Sequence, residues 1–393
     1  MSDGSTRSHQ SAVWLTTDAG DFDVFLKQVS RKTSLSDFDY AAEVAQNVPI
    51  YDGSQVEDLG VRNRKSLTAE FCRVFDSGPG IAVIKNGISD KAVLNRATDV
   101  FEALIESERR AGSGGGDHFA KPGANDRVWN AVQKHCMANA ENFVDYYSAD
   151  AIALASEAWL GPGYQVTAQV NRVNPGGLAQ TPHRDYHLGF MATEQAIEYP
   201  ALVHTMSPHL TLQGAVAHCD MPTESGPTVF LPFSQLFAEG YVAFHRPEYQ
   251  AYFAEHAVQL PLEKGDIVFF NPALMHGAGS NQCSDIFRLA NLLQVSSAFG
   301  RAMESVDRAV MIRKLYPILK ERSLGGVNQA VRNVVAVSTD GYPFPGNLDT
   351  DPPLGGLAPQ SQTGLTLDAL AKQLDKDAFV SELDALIDRK RSG

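Results

Sequence analysis

In the stretch "TPHRDYHLGF", residues 181–190, side chains able to bind a metal recur at every second position: His183, Asp185 and His187. Alternate residues of an extended strand share a face, so His183 and Asp185 can reach one point together. A third ligand follows in "GDIVFFNPALMHGAGSN", where an apolar strand and a turn at Asn271-Pro272 lead to His276. Two histidines and one carboxylate on one side of a metal leave the opposite positions open, which is the facial triad of non-haem Fe(II) oxygenases. The open positions are needed because O2 and a co-substrate must both bind. Twelve residues beyond His276, on the next expected strand, Arg288 offers a planar guanidinium suited to a co-substrate carboxylate. Singly, each of these features is ordinary: HxD recurs by chance, a strand-end histidine is often structural, and an arginine often only pairs at the surface. Their order on successive strands sets this group apart.

Three further stretches join the pattern: "CDMPTESGPTVFLPFSQ", "KGDIVFFNPALMHGAGSN" followed by Arg288, and the earlier "GPGIAVIKNGISDKAVLNRA". With "HRD", the first two make residues 161–300 resemble the phytanoyl-CoA dioxygenase family of Fe(II)/2-oxoglutarate-dependent oxygenases, and the third looks like that family's N-terminal strand and helix. The resemblance implies a double-stranded β-helix, or jelly-roll, core. It assigns Fe(II) to His183, Asp185 and His276, and the C5 carboxylate of 2-oxoglutarate to Arg288. The implied reaction uses O2, converts 2-oxoglutarate to succinate and oxidises an unactivated C–H bond. Three departures stand out. Where family members often carry Ser or Thr two residues past the distal histidine, this chain has Ala278, so Ser280 or an inward strand residue would have to substitute. The family's "PGSH" is "PFSQ" here, a change expected to affect only a turn. His187 extends the alternation without being a family ligand and is expected to line the pocket or pack in the barrel. The retained Asp185 disfavours halogenation, since related halogenases replace that carboxylate with a small residue.

Other residues could complete the pocket. "VTAQVNRV" puts Thr167, Gln169 and Asn171 on one strand face, which meets 2-oxoglutarate or substrate if it looks inward and meets water if the strand is an edge. Arg127, after a glycine-rich loop, could hold a substrate carboxylate, with His118 and Trp129 at the entrance; helix surface or packing is the plainer reading of all three. If His183 and Asp185 point inward, Arg184 and Tyr186 point away. Tyr342 and Phe344 in "GYPFP" could form a lid wall, since Pro-stiffened loops often border open sites.

The elements that must position these residues divide the chain by character. Residues 1–12 read as disordered. Residues 13–160 read as mainly helical and packed on the core, with a short strand near 80–86. Within them "LSDFDYAAEVAQ" is expected to be a helix capped by Ser36 or Asp37, and "SDKAVLNRATDVFEALIESER" carries apolar residues at helical spacing. Residues 161–300 form short strands separated by Gly, Pro and Asn clusters. Residues 301–393 hold a Pro/Gly-rich, lid-like segment and amphipathic C-terminal helices. The expected class is α+β with a mainly β core, a jelly roll with N-terminal and C-terminal helices around it.

Composition narrows the function classes. Hydrophobic residues make up 44% of the 393 and charged residues 20%, as in ordinary globular proteins. A net charge of −13 argues against nucleic acid or an anionic membrane as partner. The four cysteines have no CxxC spacing, which fits a reducing compartment. With no signal-like or spanning segment, a cytoplasmic monomer or homodimer acting on a small molecule is expected. That substrate reads as a free acid, an amino acid or a secondary-metabolite intermediate. Hydroxylation, desaturation and cyclisation are equally open outcomes. The alternatives are an acyl-CoA hydroxylase of the same family, or a jelly-roll metal protein without 2-oxoglutarate chemistry, either hydrolase or scaffold. A hydrolase has no need of Arg288, and a scaffold would be expected to lose a ligand.

Overall fold

In a computed structural model that describes residues 13–57, 59–112, 123–344 and 347–391, the apolar alternation of residues 165–296 becomes the centre of an eight-stranded sheet. Its strands are β1 (Glu43–Ala45), β2 (Val48–Asp52), β3 (Ile81–Lys85), β4 (Asn125–Val128), β5 (Gln165–Val173), β6 (Thr211–Ala217), β9 (Ile267–Phe270) and β11 (Arg288–Ser296). They lie in the order β1-β2-β3-β9-β6-β11-β5-β4. Every pairing is antiparallel except β2 with β3. A second sheet, β10-β7-β8, is made of β7 (Thr228–Leu231), β8 (Val258–Gln259) and β10 (Met275–Ala278).

The register decides what faces what. Gln169 pairs with Leu292 and Leu292 with Ala215; Asn171 pairs with Ala290 and Ala290 with Ala217. Directly opposed residues point to one face, so these six look toward the smaller sheet. Their neighbours Val170, Asn291 and Val216 look the other way, into a large apolar layer. Helices build that layer: α1 (Val61–Asp76), α2 (Lys91–Arg110), α3 (Ala131–Ala138), α4 (Ala140–Tyr147), α5 (Asp150–Leu160), α6 (Arg308–Arg322), α7 (Gln329–Ser338), α8 (Gln362–Ala371) and α9 (Lys376–Lys390). In α2 the Asp90 carboxylate caps the amides of Ala92 and Val93, and Val93, Leu94, Ala97, Phe101 and Ile105 are buried. The architecture is mixed α+β, with a large sheet and many helices.

The upstream part contributes more strand than its composition suggests. The expected helix over "LSDFDYAAEVAQ" is a single 3-10 turn, Leu35–Asp37, capped by Ser34 rather than by Ser36 or Asp37. The Glu70 carboxylate takes the Asp39 and Tyr40 amides at 2.7 and 3.3 Å, so those donors are lost to helix. Gln46 and Asn47, both at positive φ, then turn β1 into β2. Arg127 lies on a strand, β4, and Trp129 just past its end, so neither is on a helix. Four strands upstream of residue 161 thus lie in the same sheet as those after it. Residue 161 marks a change of composition inside one structure: β3 covers the edge of β9 and β4 the edge of β5, which would otherwise expose unpaired backbone. Residues 1–12 lie outside the described residues. No described helix is long and apolar enough to cross a membrane.

Candidate active site

Segment 180–185 is not a regular strand, yet it runs beside β10. His183 and His276 exchange backbone hydrogen bonds at 2.8 and 2.9 Å, Gln180 N–H donates to the Ala278 carbonyl, and Asp185 N–H to that of Pro272. This pairing brings the two histidines, 93 positions apart in sequence, to a ring-centroid distance of 4.6 Å. Asp185 joins them, with Oδ1 3.7 Å from His183 Nε2 and Oδ2 3.7 Å from His276 Nε2. One donor atom from each of the three residues lies within 4.8 Å of the others.

Both imidazoles are pre-set for coordination. His183 Nδ1 is 2.8 Å from the Thr181 carbonyl, and His276 Nδ1 is 2.8 Å from that of Leu274. A carbonyl can only accept, so each Nδ1 carries the hydrogen and each Nε2 keeps its lone pair for the centre. Burial raises the Asp185 carboxyl. Its contacts with His276, His183 and the Gln213 amide outweigh burial and hold the group at about 2. Asp185 is therefore an anion at neutral pH, with Gln213 Nε2 donating to Oδ2 and Tyr241 OH donating to its main-chain carbonyl at 3.0 Å. Two imidazole nitrogens and one carboxylate fit a divalent transition metal.

Beneath this group, Arg184 is buried, donating to the carbonyls of Ser234 and Phe237. A Cβ on Gly240 would fall 1.9 Å from the guanidinium, so only glycine lets the chain pass there. Arg184 therefore anchors the His183–Asp185 turn from behind. Tyr186 packs edge-on against Tyr241 at 4.9 Å, and part of it also borders the cavity.

The donor cluster opens into a cavity of about 730 Å³, within the roughly 300–1,000 Å³ usual for small-molecule sites. Arg288 lies on its wall, buried, donating to the Ser225 carbonyl at 2.9 Å and the Gly279 carbonyl at 3.3 Å. Burial lowers its pKa to about 10, so it is a cation at neutral pH. Gln169, Asn171, Arg127, Trp129 and His187 are also on the wall. His187 is tied to Thr211 Oγ1 at 2.8 Å and stands outside the donor cluster.

Other expected residues are placed elsewhere. Thr167 shares the inward face, but its hydroxyl donates to the Gln294 carbonyl and it is off the wall. The Ser280 hydroxyl accepts from the Ala179 amide at the surface, so it does not stand in for the missing hydroxyl at Ala278. Tyr342 and Phe344 are exposed and border no part of the cavity. Their segment is drawn to α9, where the Asn347 amide and Thr350 hydroxyl donate to the carbonyls of Arg391 and Arg389. The described residues of the Pro/Gly-rich stretch border no part of this cavity. His118 lies outside the described residues. Sequence reading missed Gln213, Gln294, Thr228 and Arg301, all on the wall. The signal for the first two was present: both are polar residues at the inward parity of otherwise apolar strands.

The arrangement is a cavity with three donor residues that could hold a divalent metal, and with a buried arginine on the same wall. The sequence pattern of the phytanoyl-CoA dioxygenase (PhyH) family matches residues 78–290, and the chain belongs to that family. It is a non-haem iron, 2-oxoglutarate-dependent oxygenase or a related enzyme, with Fe(II), 2-oxoglutarate and O2 as its cofactor and co-substrates. No curated protein matches the sequence significantly. Similar solved structures include the 2-oxoglutarate-dependent carbocyclase SnoK of nogalamycin biosynthesis, 20% identical over 66% of this chain and 92% of that one, TM-score 0.44. The epimerase SnoN of the same biosynthesis is 17% identical over 60% and 82%, TM-score 0.42. HygX from Streptomyces hygroscopicus, bound to nickel, 2-oxoglutarate and hygromycin B, is 14% identical over 61% and 90%, TM-score 0.41. Likeness at this level says nothing of this chain's own reaction or substrate.

Proposed function

We propose that His183, Asp185 and His276 hold Fe(II), that Arg288 holds the C5 carboxylate of 2-oxoglutarate, and that the enzyme oxidises an unactivated C–H bond of a small molecule. The two facing sheets are read as the halves of a double-stranded β-helix, with residues 161–300 as its catalytic core. The carrying observation is the convergence of three donor atoms with both Nδ1–H groups already committed to backbone carbonyls. When bound, Fe(II) with 2-oxoglutarate and O2 supplies the oxidising power for C–H cleavage. The chain's own residues bind and orient. Gln213 holds Asp185 Oδ2, leaving Oδ1 for the metal. Thr228, paired with Ala278 across β7 and β10 and lining the cavity, takes the hydrogen-bonding role that Ala278 lacks. Apolar residues lining the same cavity as Arg288, among them Met221, Phe230 and Leu262, keep water from the co-substrate. Four free cysteines support a cytoplasmic setting.

Anaerobic titration with Fe(II) and 2-oxoglutarate tests this reading. The expected result is a weak visible charge-transfer band in the wild type that His276→Ala abolishes. Metal binding without a band would overturn the 2-oxoglutarate assignment and favour a hydrolase or scaffold.

A further inference from the structure

The exposed residues of the cavity lining fall on two short segments, 186–190 and 297–303. They meet where a Cβ on Gly300 would lie 2.7 Å from His187 Nε2, so glycine is what allows them to close on each other. The first segment presents Leu188 and Phe190, 58% and 64% exposed; the second presents Phe299 and Met303, 90% and 59% exposed. All four line the cavity. The Phe190 ring stands 5.7 Å from that of His183, so the apolar rim continues down to the proposed metal ligands. Met303 is tethered inward by Gln169 Nε2, 3.4 Å from its Sδ. A group of large apolar side chains left exposed around a cavity marks a surface that a partner covers.

Charge identifies the occupant. The chain carries a net −13, yet its described cavity wall holds three arginines, Arg127, Arg288 and Arg301, against one carboxylate, Asp185. Asp185 is committed to the histidines and Gln213, and Arg288 to the co-substrate end. Arg301, between Phe299 and Met303, makes no hydrogen bond or ion pair with another described residue.

We propose that the primary substrate is an apolar-bodied monoanion. Its hydrophobic part lies between Leu188 and Phe190 on one side and Phe299 and Met303 on the other, and its single carboxylate or equivalent anionic group pairs with Arg301. A coenzyme A thioester does not match, because its several phosphate charges call for clustered cations, and the two rim segments carry a single arginine and no lysine. The proposal rests on the preceding reading for the place of the metal.

Fluorescence titration of the anaerobic Fe(II)- and 2-oxoglutarate-loaded protein tests it with two probes. One is 8-anilinonaphthalene-1-sulfonate, aromatic rings with one anionic group; the other is N-phenyl-1-naphthylamine, the uncharged counterpart. Both should bind saturably at one site per chain. Arg301→Gln should weaken the sulfonate roughly fivefold and leave the neutral probe unchanged. Phe299→Ala should weaken both about tenfold, and Phe190→Ala should act likewise. Sulfonate binding indifferent to Arg301→Gln, or binding of both probes indifferent to Phe299→Ala and Phe190→Ala, overturns the substrate class. The charge-transfer band in the same samples separates the two readings. A band with probe binding indifferent to these residues overturns the substrate class alone. Absence of the band overturns the iron and 2-oxoglutarate reading, and the variants still decide the substrate class.

Discussion

The two faces of the eight-stranded sheet come from the same strands and from alternate residues, yet they are built for opposite ends. On the helix side, Val166, Ala168 and Val170 of β5 and Leu289, Leu293 and Val295 of β11 are almost wholly buried against a continuous apolar layer. On the other side, Gln169, Asn171, Gln213 and Gln294 stand around a cavity. Polar groups on both faces find protein partners, but only those of the cavity face also border open space. On the helix side, His218 bonds Thr98 Oγ1 at 2.9 Å and Tyr146 OH at 3.0 Å, while Asn291 Nδ2 donates to the hydroxyls of Tyr146 and Tyr147. One face closes on itself and sets stability. The other keeps polar groups toward a space and sets chemistry.

This division can be broken by experiment. Leu293→Ala removes a fully buried side chain on the helix face and should cost about 2–5 kcal/mol of stability. Denaturant unfolding would report the loss, while metal binding by the folded fraction should be unchanged; a fall in metal affinity would erase the distinction between the faces. Gln213→Ala, on the cavity face, should do the reverse, weakening Fe(II) or Co(II) affinity roughly 10- to 100-fold with little change in melting temperature. Restoration by Gln213→Asn would not be expected, because the shorter amide cannot reach Asp185 Oδ2.

A smaller, graded effect concerns pH. Burial drives the pKa of His218 down to about 3 and that of His135 to about 4. An unfolded chain protonates these histidines near 6.5, so between about 6.5 and about 4 the unfolded state binds more protons than the folded one. Stability is therefore full above about pH 6.5 and declines as pH falls toward 4. Thermal melts at descending pH should show this decline, and His218→Gln should flatten part of it. An unchanged slope in that variant would remove His218 as a cause.

Much of the site was legible because its elements obey short-range rules. HxD spacing puts His183 and Asp185 on one side of any extended segment. Strand parity put Gln169 and Asn171 together, although Thr167 at the same parity is consumed by the Gln294 carbonyl. The errors arose where long-range partners overrode local preference. "DYAAEVAQ" has helix-forming residues, yet Glu70 captures its amides and β2 takes its strand. Tyr342 and Phe344 sit in a lid-like sequence but border no part of the cavity, and the residues that follow them bond to the end of α9. Phe299 and Arg301 gave no local signal, since exposed residues of a loop acquire meaning only from what lies beside them.

The sequence by itself determined the types of the candidate metal ligands, their order, the apolar periodicity of the central strands and the family to which the chain belongs. These depend on chemistry and spacing along a single segment. Only the tertiary structure decided that segment 180–185 pairs with β10, that Gln213 rather than a neighbour in sequence steadies Asp185, and that upstream strands complete the sheet. It also decided which exposed residues ring the cavity. Such contacts join positions tens to hundreds of residues apart, and their energy appears only when the chain has paid the entropy of bringing them together.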